Sequence, residues 1–105
     1  MQTPPPLLAV AAYHAQQAGE KALKAFLAAH NVAFRSTHNL EELLSQTEAI
    51  EASFGQFSVA ARTLTPYAVR FRYPGGPLAP TSLEAEEALH LADHVVRFVR
   101  LRLGL

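Results

Sequence analysis

The stretch "AYHAQQAGEKALKAF" at residues 12–26 sets two amides, a carboxylate and two ammonium groups among alanines and aromatics. Gln16, Gln17, Glu20, Lys21 and Lys24 all fall within three turns if this segment is a helix. Glu20 and Lys24 stand four apart in the order that favours an ion pair, worth about 0.3–0.5 kcal/mol when exposed. Such a face can simply be solvated. It can also work, with Gln17, Lys21 and Lys24 lining one side to take a phosphate or the acidic residues of a partner.

A second candidate is "TPYAVRFRYP" at 65–74. Arg70 and Arg72 cannot both share the apolar face set by Ala68 and Phe71. Arginine beside tyrosine offers a guanidinium fork for phosphate and a ring on which a base can stack, which makes Arg72 and Tyr73 candidate ligand-binding residues. The plainer alternative packs Tyr67 and Tyr73 against the domain, lets Pro74 end the helix and pairs Arg72 with Glu20.

His38 in "STHNL" has the side chain best suited to proton transfer near neutral pH. Its place just before a helix suits a capping or hydrogen-bonding role better. His90 and His94 are four apart, a spacing that can grip a metal. They project away from the apolar stripe of their helix, with Glu87 as the one nearby third ligand and Arg97 as an opposing charge. We therefore assign no metal and no cofactor, and no spacing in the chain supports a catalytic set.

Composition narrows the classes. Half of the 105 residues are hydrophobic and 17% are charged, which argues for one folded domain over residues 1–105. Lysine plus arginine and aspartate plus glutamate both number nine, so there is no general attraction to nucleic acid, only room for a local patch. No cysteine is present, which excludes disulfides and fits a cytoplasmic setting. No apolar run approaches the roughly 20 residues of a membrane-spanning helix. Leu7–Tyr13 follows three prolines and no basic residue, unlike a secretion signal.

Four helical segments must position these residues. "TPPP" opens the first, with Thr3 as cap and proline tolerated in the opening turn. Leu7, Leu8, Ala11, Ala15, Ala18, Ala22, Leu23, Phe26 and Leu27 then recur at helical spacing, and Asn31 provides a stop. Asn39 with Glu42 predicts a capping box for a short second helix, buried through Leu40, Leu43, Leu44 and Ile50. Phe54, Phe57, Ala61, Leu64, Ala68 and Phe71 predict a third helix over 51–71, kinked at Pro66. After the "YPGGPLAPTS" loop, Thr81 and Glu84 start the last helix, with Ala85, Ala88, Leu89, Ala92, Val95, Val96, Val99 and Leu103 facing inward. The expected fold is all-α, an up-and-down bundle of three longer helices and one short one.

Three blocks together, "YHAQQAGEKALKAFL" at 13–27, "THNLEELL" at 37–44 and "YAVRFRYPG" at 67–75, resemble the HEPN domain family in order and separation. The resemblance covers about residues 10–100. It implies a small helical bundle that forms a homodimer and pairs with a minimal nucleotidyltransferase, sometimes as toxin and antitoxin. It implies that Gln17, Lys21, Lys24, Arg72 and Tyr73 belong to a shared polar site for nucleotide or RNA. Active family members are ribonucleases with an arginine and a histidine four to six residues apart. No arginine here has that spacing, so the expectation is a non-catalytic binding module; the alternative is a metal-independent ribonuclease using Arg72 with His38. The family generally carries a further helix before the "QQAGEKALK" one, and its lack would leave an apolar groove for a second copy to cover.

Overall fold

The computed structural model describes residues 5–34, 36–69 and 80–105. Most of the described residues are helical, with no strand among them. The elements are α1 (Pro5–Ala29), α2 (Leu40–Ile50), a 3₁₀ turn (Ala52–Phe57), α3 (Ser58–Leu64), a second 3₁₀ turn (Thr65–Ala68) and α4 (Ser82–Leu103). They form the expected all-α bundle, with α1 and α4 as its long members.

Local chemistry explains most boundaries. Asn31 stops α1 with a positive φ of 57°, and Val32 N–H returns to Leu27 O at 2.9 Å, a left-handed close that asparagine tolerates better than most residues. Thr81 and Glu84 make a reciprocal capping box at the start of α4. Asn39 caps α2 by accepting from Glu41 N–H at 2.8 Å and Glu42 N–H at 3.3 Å. The box expected there is not closed by Glu42, because the Asn39 N–H donates instead to Thr37 Oγ1 at 3.0 Å.

The expected single helix over 51–71 is broken. Glu51 is extended, at φ −141° and ψ 109°, and separates α2 from the first 3₁₀ turn. Phe54 and Phe57 are three apart and both buried; a 3₁₀ turn stacks such a pair on one side. Pro66 has no N–H to return to Arg62, and the chain tightens at Thr65–Ala68 without a new side-chain cap. Residues 70–71 of that expectation lie outside the described residues.

The core joins all these elements. Phe26 of α1 meets Phe54 with ring centroids 4.6 Å apart, and Phe98 of α4 meets Phe54 at 5.0 Å and Phe57 at 5.1 Å. Burying each such ring stabilises by about 2–3 kcal/mol. At the other end of the core, Gly19 lets α1 approach its neighbours closely: a Cβ built there would lie 3.4 Å from both Leu40 Cδ1 and Leu64 Cδ1.

Three apolar residues expected inside are not. Leu7 is 63% exposed, Leu89 48% and Ile50 37%. At 100° per residue, Leu7 lies about 150° round α1 from the centre of its buried stripe, Leu89 about 80° round α4 and Ile50 about 70° round α2. The first sits on the outer side and the other two on the edge. On α1 those inner angles are taken by Gln16 and Glu20, which are fully buried and 5% exposed respectively.

Candidate functional site

Gln16, Glu20, Lys24, Gln17 and Lys21 step round α1 at about 0°, 40°, 80°, 100° and 140°. Burial falls in the same order, from buried Gln16 and Glu20, through half-buried Lys24 and Gln17, to exposed Lys21. The polar residues are thus a band running from core to solvent. Reading them as a wholly solvated face is incorrect for Gln16 and Glu20. Their own spacing carried the signal: Gln16 stands four residues after Ala12 and seven before Leu23, both buried.

Glu20 is the centre of the band. Its Oε2 accepts from Lys24 Nζ at 2.9 Å, and its Oε1 lies 2.9 Å from His38 Nδ1 and accepts from Gln16 Nε2 at 3.1 Å. Gln17 Nε2 reaches the same Oε1 at 3.5 Å and donates to Gln16 Oε1 at 2.7 Å. Burial pushes the Glu20 carboxyl up. The hydrogen bonds from His38, Lys24 and Gln16 and the Lys24 charge outweigh it, and the carboxyl is held below its ordinary value.

The segment after α1 supplies His38. Gln16 Nε2 also donates to the His38 carbonyl at 2.9 Å, and Gln46 Nε2 holds the Ala33 carbonyl at 2.9 Å. Lys24 sits over the Phe34 ring, 5.6 Å from its centroid. Ala33, Phe34 and His38 are therefore fastened to α1 and α2 by side chains, and His38 is brought to a carboxylate 18 residues earlier.

The structure gathers Gln17, Lys24, Glu20 and His38, with Lys21 beside them and unbonded to any described residue. Arg72 and Tyr73 lie outside the described residues, as do Arg70 and Pro74. Tyr67 is 3% exposed, so its ring is closed to a stacking base. His90 and His94 are exposed on α4, where Asp93 pairs with Arg97 at 2.9 Å.

The void beside Gly19 is too small for a ligand. The void among Gly19, Leu23, Leu40, Leu64 and Val95 holds about 10 Å³, scarcely enough for one water.

The family model described as HEPN domain matches residues 7–102. The chain belongs to the HEPN domain family. No curated protein and no solved structure matches it. The match spans α1 through nearly all of α4, so the buried Glu20 and its partners lie inside this HEPN domain. No described helix of the domain is long and apolar enough to cross a membrane.

Proposed function

We propose that this HEPN domain is a non-catalytic recognition module of the cytoplasm, binding the phosphate groups of a nucleotide or RNA. Its ligand-facing residues are Lys21, Lys24 and Gln17, joined by Arg72 and Tyr73 on the strength of the family resemblance. The observation that supports this reading most is Glu20. A nearly buried carboxylate holds Lys24 and His38 in place at the surface, beside an exposed Lys21. A face that only met water would not need so many fixed contacts.

The non-catalytic part rests on the absence of the arginine–histidine spacing used by the family's ribonucleases. The test pairs binding with cleavage. Labelled single-stranded RNA and tRNA are titrated with the protein, followed by anisotropy, and then run on a denaturing gel. Binding with intact RNA is expected. Cleavage that disappears in His38→Ala would replace this reading with the ribonuclease one.

The favoured protein partners are a second copy and a minimal nucleotidyltransferase. An open groove of about 490 Å³ runs along α4 between Val96, Leu101 and Leu105, edged by Asp93, Arg97 and Arg100. Leu101 is 73% exposed and Leu105 75%, an apolar pair suited to a protein contact. Size-exclusion chromatography with light scattering tests the homodimer, and co-purification from the host tests the nucleotidyltransferase.

A further inference from the structure

His38 is held twice by α1. Gln16, fully buried, fixes its carbonyl, and Glu20 Oε1 fixes its ring through Nδ1. A residue that merely leads into α2 needs neither contact, because Asn39 already caps that helix and Thr37 holds the Asn39 N–H. The side chain of His38 is nonetheless 54% exposed, and its Nε2 bonds to no described residue.

The chemistry of this arrangement follows from the carboxylate. Glu20 can only accept, so Nδ1 carries a proton and the ring is fixed in one tautomer. Nε2 is then the free end, a lone pair when the ring is neutral and an N–H donor when it is charged. Lys24 occupies the other Glu20 oxygen with one of its three donors, leaving two. Lys21 lies about 60° further round α1. Lys24 and the His38 ring thus share a single buried carboxylate that orients both, with Lys21 on the adjoining face of α1.

We propose that His38 Nε2, with the Lys24 and Lys21 ammonium groups, forms an anion site for a phosphate group, with Glu20 and Gln16 as positioning residues. This rests on the recognition reading above and adds His38 as its central donor. The ligand chemistry is a tetrahedral phosphate, either the terminal group of a mononucleotide or a backbone group of single-stranded RNA. Several N–H donors converging on one charged oxygen cluster suit that shape. Among the described residues the charged group in contact with the imidazole is Glu20, which also holds Lys24.

The test is an NMR titration of the intact chain with inorganic phosphate, AMP and a short single-stranded RNA. Signals of Gly19, Lys21, Lys24 and His38 are expected to shift together. His38→Gln is expected to weaken binding about tenfold, the loss of one charge-assisted hydrogen bond. Glu20→Gln should weaken it several-fold and also release the ring tautomer, seen in the ring nitrogen shifts; a merely structural glutamate would leave the ring signals of a folded variant unchanged. Circular dichroism confirms that each variant is folded. AMP and phosphate binding without RNA points to a terminal phosphate, and RNA binding alone to the backbone. Binding of full strength in folded His38→Gln overturns this site while the recognition reading stands. No binding of any of the three ligands to the native chain overturns both.

Discussion

Glu20 Oε1 and His38 Nδ1 lie 2.9 Å apart, the one on a helix face 5% exposed and the other on a half-exposed ring. The contact links the middle of α1 to the entrance of α2, and the same carboxylate holds Lys24. It has consequences for stability as well as for binding.

Glu20→Ala should destabilise the domain by about 2 kcal/mol, since it removes the carboxylate that Lys24, His38 and Gln16 share. For a domain of this size that is a drop of roughly 10 °C in melting temperature. The sign with pH follows from the carboxyl being held below its ordinary value of 4.5. Its ionised form stabilises the fold above that value, and the contribution is lost as pH falls through the lower folded value. Native protein should therefore lose stability below about pH 4.5 more steeply than Glu20→Gln does. Urea midpoints at pH 3 to 7 measure both slopes.

Gly19 tests how closely the helices approach. An added Cβ meets Leu40 and Leu64 methyl groups at 3.4 Å, ordinary contact. Gly19→Ala should leave the fold intact and stabilise it by about 0.5–1 kcal/mol through helix propensity. Gly19→Leu should destabilise by about 2 kcal/mol or more, because the void beside it holds only about 10 Å³. Thermal melts of the two variants should move in opposite directions.

Thr65 joins α2 to the end of α3. Its hydroxyl accepts from Leu40 N–H at 3.0 Å and donates to Ala61 O at 2.7 Å. Thr65→Val keeps the shape and removes both bonds, with an expected loss of about 1–2 kcal/mol. Thr65→Ser should retain most of the native stability. Amide exchange at Leu40 gives the local readout, faster in the valine variant alone.

The proposed homodimer would be held by Leu101 and Leu105. The native chain should scatter light as a dimer at tens of micromolar, an order-of-magnitude working level for a modest apolar contact. Leu101→Glu with Leu105→Glu should be a monomer with unchanged helicity, because both side chains are at least 73% exposed and outside the core.

The local elements are legible in the sequence because their causes are local. Thr81 and Glu84 close their box within one turn, Asn31 and Asn39 act on their own helix ends, and the phenylalanines keep helical spacing. The segment at 51–71 reads as one helix because its apolar spacing suits both α and 3₁₀ turns. Only packing around Phe54 and Phe57, and the backbone at Glu51 and Pro66, separates the two.

By itself the sequence determined an all-α chain, the starts of α2 and α4, and the three blocks that mark the HEPN family. It also held the placement of Gln16 and Glu20 on the inner side of α1, since both keep step with Ala12 and Leu23. The tertiary structure alone decided the partner of Glu20. His38 reaches it through an irregular segment without periodicity, held by the side chains of Gln16 and Gln46. Helical spacing fixes which way a residue faces; only folding brings the distant imidazole to the carboxylate.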